Sequence, residues 1–458
     1  MAIASINPTT GETIATFDPD DDAVIERKLA AAAAAVKQLA DLGWARRREL
    51  MHAAAELLAA DVDGLGETIT LEMGKPLAQA KGEILKSAKA LHFYADHAED
   101  FVSGYTLDDP SIVGASRAGV RFDPLGVVLA VMPWNYPIWQ VIRFAGPALM
   151  VGNPGLLKHA SNVPQSALYL GDLFARAGFP EGAFQTLLIG ASRVAAVIED
   201  PRVVAVTLTG SEPAGASVAR TAGGVLKKCV LELGGTDPFI VMPSADLDAA
   251  VDTAVKARTS NNGQACINAK RFILHEDIYD EFLTRFVTRM SELMIGDPLE
   301  ESTDIGPVST SQGRDDLVGL VEDAREKGAQ ILTGGVVPDL PGWFYPPTVV
   351  ADLTPEMRLW REEAFGPVAS VFRASSLDEA LQIANDSDYG LGSAFWSTDP
   401  DEIDRAEREI ESGTVTINGM TISYQELPFG GIKRSGFGRE LSFEGIREFC
   451  NLKTIWQA

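Results

Sequence analysis

The 458-residue sequence contains little cysteine, little histidine and a deficit of positive charge, and each shortage argues against a class of protein. Three cysteines are too few and too widely spaced for a disulfide framework. The five histidines show no metal-ligand spacing with a cysteine, and no HExxH pattern occurs, so no metal site is predicted. Lys and Arg number 39 against 64 Asp and Glu, and the net charge of −25 argues against nucleic acid or an anionic membrane as a partner.

Long hydrophobic runs are also missing. No window approaches the roughly 18 consecutive apolar residues of a transmembrane helix. The first residues, "MAIASINPTTGETIATF", lack a basic segment followed by an apolar one, so no signal peptide is predicted. Together with the separate cysteines Cys229, Cys266 and Cys450, these absences predict a cytoplasmic protein with reduced thiols.

The length of the chain predicts two or three domains, because one hydrophobic core of ordinary size does not extend so far. Residues 22–103 have the composition and apolar spacing of helices. Between 125 and 242, strand-length apolar runs such as "GVVLAVM" and "VVAVTLT" alternate with helical windows, and a second α/β section follows from about 236 to 438. This alternation is typical of parallel sheets covered by helices on both faces, so the predicted fold class is α/β.

Two segments do not fit the alternation. Residues 103–123 contain short, glycine-punctuated, strand-like stretches, and the chain ends in another alternating apolar segment, "CNLKTIWQA". Exposed strand edges carry unpaired N–H and C=O groups and promote aggregation unless another strand or chain covers them. We therefore expect these two segments to pair with each other and to form an arm for oligomerisation.

One cysteine, Cys266, stands in a small polar segment, "SNNGQACINAKR" (260–271). A free cysteine is most often an inert, buried, small hydrophobe. The alternative is a nucleophile, but an unperturbed thiol with a pKa near 8.5 is only about a few per cent thiolate at neutral pH. A nucleophilic Cys266 would therefore need assisting groups from elsewhere in the chain.

Three other motifs carry groups that suit such assistance. Glu232 ends an apolar strand in "VLELGG", where partial desolvation would raise its pKa towards the range of a general base, although many such acids are simply solvated. Asn135, in the "PWNYP" turn, offers an amide for an oxyanion, but asparagine is common in turns. Gly210 and Ser211 precede a helix whose N-terminus suits a phosphate, yet "TLTGSEPAG" is not the GxGxxG fingerprint and is a weak signal alone.

The order of seven motifs resembles that of the aldehyde dehydrogenase superfamily over essentially the whole chain. These motifs are "PWNYP", "LLKHAS", "LTGS", "LELGG", "NNGQACINAKR", "EEAFGPV" and "PFGGIKRSGFGRE". Within the superfamily, "LLKHASNVPQSA" and "NGMTISYQELPFGG" look most like the short bacterial succinate-semialdehyde dehydrogenases. The resemblance implies a dinucleotide-binding domain (1–104 and 125–233), a catalytic domain (234–438) and an oligomerisation arm (105–124 and 439–458), and hence a homodimer or homotetramer.

The same resemblance assigns roles residue by residue. Cys266 matches the nucleophile that adds to the aldehyde and gives a thiohemiacetal and then a thioester. Asn135 and the Cys266 backbone N–H match the oxyanion hole, and Glu232 matches the base that activates water. The residues implied to contact the cofactor are Trp134, Asn135, Lys158, His159, Ala160, Ser161, Gly210, Ser211, Leu233, Glu363 and Phe365.

The residue at position 161 bears on the cofactor. Many NAD-preferring relatives carry a glutamate there, which binds the ribose 2′-hydroxyl, whereas this chain has Ser161. A serine removes a carboxylate that would repel a 2′-phosphate and leaves a hydroxyl that can donate to it. With Lys158 nearby, the implied cofactor is NADP, with NAD possible at lower preference.

Two residues are implied to hold the substrate. Arg143, in "YPIWQVIRFAGPAL", matches an arginine that pairs with the distal carboxylate in the succinate-semialdehyde branch, and Ser423 matches a second contact. An arginine in such an apolar window is otherwise often one that snorkels to the surface. Two positions depart from relatives: Ser260 replaces a further arginine, and Asn268 replaces the second cysteine of a redox switch.

The sequence thus predicts the NADP-dependent oxidation of succinate semialdehyde to succinate. One alternative is a dehydrogenase of another short aldehyde. A second, from a different class, is a thiol esterase on the same fold, because hydrolysis of a thioester is already half of the implied reaction. The retained cofactor residues favour the dehydrogenase.

Overall fold

Thirteen α-helices follow one another through residues 3–458, the part of the chain that this computed structural model describes. They are α1 (Asp22–Ala60), α2 (Val62–Met73), α3 (Leu77–Phe101), α4 (Trp139–Val151), α5 (Pro164–Arg176), α6 (Val194–Glu199), α7 (Glu212–Gly224), α8 (Leu247–Thr259), α9 (Glu276–Ser291), α10 (Ser311–Glu326), α11 (Leu377–Asn385), α12 (Pro400–Glu409) and α13 (Ser442–Arg447). The long helix α1 breaks at Gly43, whose φ of 69° lies in the left-handed region that glycine adopts without strain.

Twenty strands lie between these helices in the same residues. They are β1 (Ile3–Ile6), β2 (Thr13–Phe17), β3 (Tyr105–Thr106), β4 (Arg117–Pro124), β5 (Val127–Met132), β6 (Gly155–His159), β7 (Phe184–Thr186), β8 (Val203–Thr209), β9 (Lys228–Glu232), β10 (Pro238–Val241), β11 (Arg271–His275), β12 (Gln330–Thr333), β13 (Thr348–Ala351), β14 (Val368–Ala374), β15 (Tyr389–Gly390), β16 (Gly392–Trp396), β17 (Thr414–Ile417), β18 (Ile432–Lys433), β19 (Gly436–Phe437) and β20 (Cys450–Gln457).

The first large sheet has the strand order β19-β9-β8-β5-β6-β7. Strands β9 to β7 are parallel, and only the edge strand β19 is antiparallel. Side chains of β5 alternate between its two faces: Val128 and Ala130 join the core that includes α4 and α5, whereas Val127 and Leu129 join the core that includes α6 and α7. Both faces are therefore covered, which is why β5 is apolar along its length.

The second large sheet has the order β12-β13-β14-β11-β10-β16-β17 and is parallel except for β12. Its strand β11 shows the same alternation. Phe272 and Leu274 pack in the core with α8 and α9, and Ile273 packs in the core with α11 and α12. The predicted α/β class is confirmed, with two such sheets in the chain.

The two segments outside the alternation form a small third sheet, in the order β20-β4-β3. Strand β20 pairs antiparallel with β4 from Cys450 opposite Pro124 to Gln457 opposite Arg117, which confirms the predicted pairing. Leu452 (61% exposed) and Trp456 (55% exposed) leave apolar surface on this arm.

Residues 442–447, which the sequence placed in the arm, form α13 against α3 and α4, because Ile446 is buried there. The domain boundaries themselves stay a prediction.

Residues 3–458 contain neither a membrane-spanning helix nor a cluster of metal ligands. No helix there combines the length and hydropathy that crossing a bilayer requires. The same residues contain no group of three or more His, Cys, Asp or Glu side chains with the arrangement of a metal site.

A buried ion pair joins α3 to the beginning of α4. Lys75 Nζ pairs with Glu83 Oε2, and their side chains are 0% and 1% exposed. Glu83 Oε1 accepts hydrogen bonds from the backbone N–H groups of Ile138 (2.8 Å) and Trp139 (2.9 Å), which are free donors at the N-terminus of α4. The Lys75 ammonium lies 3.8 Å from the centroid of the Tyr136 ring. These contacts fix the "PWNYP" turn and α4 against α3.

We expect Glu83→Gln to lower the free energy of unfolding by about 3–5 kcal/mol, because it leaves the Lys75 ammonium buried without an opposite charge. Urea unfolding followed by tryptophan fluorescence measures the loss. The control is the double variant Lys75→Met/Glu83→Gln, which buries no unpaired charge and should recover part of the stability. Equal losses in the single and double variants would contradict this account of the ion pair.

Candidate active site

The predicted catalytic residues gather at the carboxyl edge of the first sheet, the edge at which ligands of such sheets usually bind. Strand β5 leads into the turn 133–137, β8 ends at Thr209 before Gly210, and β9 ends at Glu232. The segment that carries Cys266 comes from the second sheet's part of the chain, between α8 and β11. Cys266 therefore comes from a different part of the chain than the other residues of this edge, with which it lines a common cavity.

Cys266 lies at the junction of two cavities, and Gln140 is beside it in both. The smaller cavity, of about 280 Å³, brings together the predicted residues Trp134, Asn135, Gly210, Ser211, Leu233, Glu363 and Phe365. The larger cavity, of about 530 Å³, is lined mainly by α3, α4, α8 and residues 420–423. A thiol at such a junction can contact one ligand on each side.

Hydrogen bonds from buried side chains fix the loop that carries Cys266. Asn262 has a φ of 56°, in the left-handed region that asparagine tolerates. Its Nδ2 donates to the carbonyls of Gly74 (2.7 Å) and Pro307 (3.0 Å). Lys270 Nζ donates to the carbonyl of Cys266 itself at 2.5 Å. The backbone position of the thiol is thus set by contacts from several parts of the chain.

The two departures from relatives also lie in this loop. Asn268 Nδ2 donates to the carbonyls of Ser260 (2.8 Å) and Arg258 (3.2 Å), so it has a structural role at the place of the missing second cysteine. Ser260 Oγ donates to the Lys256 carbonyl at 2.7 Å and lines the larger cavity. A short hydroxyl therefore faces the cavity at the position where the resemblance led us to expect an arginine in relatives.

The Cys266 thiol is neutral in the resting site. The residue is partly exposed to the cavities, but protein surrounds the sulfur closely, and this burial raises its pKa to about 12. The positive charges of Arg143 and Lys270 act in the opposite direction but do not outweigh burial. A proton must therefore leave the thiol before Cys266 can act as a nucleophile.

Asn135 offers a free donor beside this thiol. The side chain is 4% exposed, and Nδ2 donates one hydrogen bond to the Gln264 carbonyl at 3.0 Å. The backbone carbonyl of Asn135 accepts a bond from Asn261 Nδ2 at 2.8 Å, which holds the turn to the nucleophile loop. Since a side-chain amide has two N–H donors, one remains for the cavity that Asn135 and Cys266 share. That donor suits an oxygen that becomes negative on a carbon bound to the sulfur.

Glu232 is a buried carboxyl group, 1% exposed, at the end of β9. Burial raises its pKa well above the ordinary value and Glu440 raises it further, while Arg143 and Arg439 act in the opposite direction. Neither carboxyl oxygen has a hydrogen-bond partner among residues 3–458. The direction of the pKa shift is the one expected from sequence. The side chain lines neither cavity, however, so it must turn to reach a group bound to Cys266.

The wall of the smaller cavity combines aromatic rings with one carboxylate. Trp134 and Phe365 pack edge to face with ring centroids 5.7 Å apart. Glu363 Oε1 lies 3.0 Å from Lys270 Nζ, and a Cβ at Gly234 would come within 2.5 Å of Glu363 Oε2. The lack of a side chain at position 234 thus leaves room for this carboxylate. An apolar pocket with a few placed polar groups suits a flat ring attached to a sugar.

The N-terminus of α7 opens into the same cavity. Ser211 is the N-cap residue, and its side chain makes no capping hydrogen bond. Gly210 N–H is already bound to the Glu232 carbonyl at 2.9 Å, so the available groups are the Ser211 hydroxyl and the free N–H groups of the first helical turn. Such groups favour an anion, and the site fits a pyrophosphate.

Lys158 is the buried cation among the predicted cofactor residues. It is 8% exposed at the end of β6, and burial lowers its pKa. Within residues 3–458 no carboxylate forms an ion pair with it, so its charge is available to an anionic ligand. This unpaired ammonium, with Ser161 three residues later, fits the phosphorylated ribose of NADP.

His159 holds the local backbone. Its Nδ1 accepts a hydrogen bond from the Ala160 N–H at 2.9 Å, so Nε2 is assigned the proton and donates to the Pro137 carbonyl at 2.9 Å. Burial lowers the pKa of His159 to about 4, and the ring is neutral at pH 7. The Ser161 carbonyl accepts a bond from the Ala4 N–H at 3.1 Å. Their contact with a cofactor, and that of Ala160, stays a prediction.

Arg143 and Ser423 both line the larger cavity. Arg143 is 2% exposed, forms an ion pair with Glu440 through Nε, and donates from Nη2 to Thr209 Oγ1 at 3.2 Å. Its guanidinium lies 5.1 Å from the centroid of the Phe429 ring. Arg143 is therefore a buried, paired arginine and does not snorkel to the surface.

Sequence reasoning missed four residues of this site: Lys86, Gln140, Lys270 and Glu440. Lys270 and Glu440 could have been identified from sequence, because they lie inside two of the motifs quoted above, "NNGQACINAKR" and "PFGGIKRSGFGRE". Lys86 lies among other polar residues of α3 and Gln140 lies in the apolar window of α4, and no sequence pattern marks either of them as a cavity residue.

Known proteins resemble this chain over its full length. The model of the aldehyde dehydrogenase family matches residues 1–455. The protein named succinate-semialdehyde dehydrogenase (NADP(+)) 1 of Mycobacterium tuberculosis is 57% identical over 458 residues, which is 100% of both chains. The crystal structure of succinic semialdehyde dehydrogenase from Streptococcus pyogenes, in complex with NADP+, is 38% identical and superposes with a TM-score of 0.96 over 99% of each chain. That of the Burkholderia pseudomallei enzyme is 35% identical, with a TM-score of 0.96 over 99% of this chain and 94% of the other.

These matches confirm the resemblance that the motifs indicated, and they extend it from seven short stretches to nearly the whole length of the chain. Because the family model and the relatives cover almost the entire chain, this protein belongs to the aldehyde dehydrogenase family.

Proposed function

We propose that this protein oxidises succinate semialdehyde to succinate and that NADP, when bound, accepts the hydride. The observation that carries the proposal is the position of Cys266, a thiol at the junction of a cavity lined by predicted cofactor residues and a cavity with cationic side chains. Relatives 57% identical over the whole chain bear the name of this activity with NADP(+), which supports both the substrate and the cofactor.

In the first step the Cys266 thiol gives its proton to water, and the resulting thiolate adds to the aldehyde carbon. A carbon–sulfur bond forms, and the electron pair of the carbonyl double bond moves to the oxygen. The free N–H of Asn135 and the backbone N–H of Cys266 donate to this oxygen and stabilise its charge. Oxidation of the adduct then leaves the acyl group on the sulfur as a thioester.

The second step is hydrolysis of the thioester, with Glu232 as the base. Burial and the neighbouring Glu440 raise the pKa of Glu232, which makes it a stronger base than an exposed glutamate. Glu232 takes a proton from water, the resulting hydroxide adds to the acyl carbon, and the carbon–sulfur bond breaks. Succinate leaves, and the sulfur takes the proton from Glu232, so that Cys266 returns to the thiol and Glu232 to the carboxylate. This step requires the Glu232 side chain to turn towards Cys266.

We propose that the molecule acts as a homodimer or homotetramer in the cytoplasm. The arm formed by β3, β4 and β20 exposes Leu452 and Trp456, apolar groups that a second copy would cover. All three cysteines are free, as expected for a reducing compartment.

Succinate semialdehyde and butanal have the same number of carbons and differ in the distal carboxylate. We expect kcat/KM with NADP to be at least about tenfold higher for succinate semialdehyde than for butanal. Only succinate semialdehyde has a carboxylate that can form a buried ion pair with a cation of the larger cavity. The rate is followed at the nicotinamide absorbance, with NADP and NAD in separate assays. Cys266→Ser is the control and should abolish oxidation of both aldehydes. An equal rate with butanal would remove succinate semialdehyde as the preferred substrate.

The cofactor preference is tested at position 161. Ser161→Glu places a carboxylate beside the site of the 2′-phosphate, so we expect kcat/KM for NADP to fall by about 100-fold while the value for NAD changes by only about a few-fold. Steady-state assays with each cofactor at saturating aldehyde give the two values. Ser161→Ala, which removes one hydroxyl, is the matched control and should lower kcat/KM for NADP by about tenfold at most. A parallel loss for both cofactors in Ser161→Glu would show that Ser161 does not face the 2′-phosphate.

The raised pKa of Cys266 predicts the pH dependence of its reactivity in the protein without ligands. Since only the thiolate reacts, the rate of alkylation by iodoacetamide should rise about tenfold per pH unit from pH 6 to 10 without reaching a plateau. Peptide mapping by mass spectrometry follows Cys266 separately from Cys229 and Cys450. A plateau below pH 9 would mean that the site stabilises the thiolate before any ligand binds.

A further inference from the structure

Lys270 is a buried lysine that holds the nucleophile loop from behind and lines neither cavity. Its side chain is 3% exposed, and Nζ donates hydrogen bonds to the carbonyl oxygens of Ala265 at 2.9 Å and of Cys266 at 2.5 Å. The same ammonium forms an ion pair with Glu363, whose Oε1 lies 3.0 Å away. A single cation thus contacts the backbone on both sides of the thiol-bearing carbon and a carboxylate of the smaller cavity.

The carbonyl of Ala265 and the N–H of Cys266 belong to one peptide group. The C–N bond of a peptide has partial double-bond character, so a donor that draws electrons towards the oxygen makes the N–H more positive. A charged donor does so more strongly than a neutral one. The hydrogen bond from Lys270 to the Ala265 carbonyl therefore makes the Cys266 N–H a stronger donor.

The peptide groups next to the thiol are fixed through their oxygens. The Gln264 carbonyl accepts hydrogen bonds from Asn135 Nδ2 and Asn261 Nδ2, each at 3.0 Å, so the carbonyls of residues 264–266 all accept bonds from buried side chains. Within residues 3–458 no backbone carbonyl accepts a hydrogen bond from the Cys266 N–H. A free N–H on a fixed peptide group is available to the oxygen of a ligand bound to the sulfur.

We propose that Lys270 is a positioning residue that orients and polarises the peptide group between Ala265 and Cys266, so that the Cys266 N–H stabilises the oxyanion more strongly. This inference rests on the proposed addition of Cys266 to a carbonyl carbon, and it names the group that supports the oxyanion hole. Lys270 acts through the backbone and touches neither substrate nor cofactor. Its positive charge also favours the thiolate of Cys266, so the experiment has to separate the two effects.

Two reagents separate the oxyanion from the thiolate. With p-nitrophenyl acetate, the sulfur adds to the ester carbonyl carbon, the carbonyl oxygen becomes negative, and p-nitrophenolate leaves as the double bond forms again, which gives acetylated Cys266. With iodoacetamide, the sulfur displaces iodide from a methylene carbon and no oxyanion arises. Because both reactions need the same thiolate, the ratio of the acylation rate to the alkylation rate at Cys266 reports on the oxyanion hole.

We expect Lys270→Met to lower this ratio at least about tenfold, because the Cys266 N–H loses its polarisation by a charged donor. Lys270→Arg keeps a charged donor and should recover part of the ratio. Glu363→Gln is the comparison variant, since it removes the carboxylate beside the ammonium and leaves the two carbonyl bonds of Lys270, and the ratio should not fall. Peptide mapping by mass spectrometry gives both rates for Cys266 alone, and neither reagent requires NADP or an aldehyde.

The outcomes separate this inference from the proposed function. If both rates fall equally in Lys270→Met, the lysine acts on the thiolate alone and the inference is wrong. An equal fall of the ratio in Glu363→Gln would also overturn it, because the ion pair and not the carbonyl bonds would then set the ratio. A protein that does not oxidise succinate semialdehyde but shows the tenfold fall in Lys270→Met would refute the proposed substrate and support the role of Lys270.

A second variant covers the case in which Lys270→Met does not fold. Lys270→Met leaves the Glu363 carboxylate without its cation, whereas the double variant Lys270→Met/Glu363→Gln does not. We expect the ratio in the double variant to be at least about tenfold lower than in Glu363→Gln. Thermal unfolding followed by circular dichroism checks that both variants are folded. Equal ratios in these two variants would overturn the inference.

Discussion

Lys75 and Glu83 place two opposite charges in the interior where α3 meets α4, and only their attraction and further hydrogen bonds offset the cost of burial. Glu83 also caps α4 through the N–H groups of Ile138 and Trp139. These bonds set the direction in which α4 leaves the "PWNYP" turn, and so the positions from which α4 lines both cavities. Lys86 follows Glu83 by one helical turn, and the same contact therefore sets where its side chain meets the larger cavity.

Charge is distributed unevenly between the surface and the site. The net charge of −25 repels an anionic substrate and an anionic cofactor at long range. Within residues 3–458 no carboxylate forms an ion pair with Lys158, three residues before Ser161, or with Lys86, which is hydrogen-bonded to Ser423. In both places a hydroxyl adds a donor to the positive charge. Local, partly desolvated cations thus make anion binding favourable in a protein whose overall field opposes it.

Burial also governs the reactive groups. It raises the pKa of Cys266 to about 12, so the thiol is neutral at rest, and it raises the pKa of Glu232 well above its usual value. A neutral thiol is poorly reactive towards alkylating and oxidising agents, and position 268 of the same loop is an asparagine, which cannot form a disulfide with it. Reactivity at Cys266 then depends on the ligands that enter the two cavities and on the turning of Glu232.

The α/β class and the pairing of β4 with β20 could be predicted from sequence, because the period of apolar residues is a local property. Cys266, Asn135 and Glu232 could be predicted as a set because their motifs occur in a fixed order. Lys86 could not, since on α3 it resembles the solvated Lys89, and the partner of Arg143, Glu440, lies almost three hundred residues further along the chain. The sequence by itself determined which residue types carry the chemistry, and only the tertiary structure decided which charges are paired, because pairing depends on distances between segments far apart in the chain.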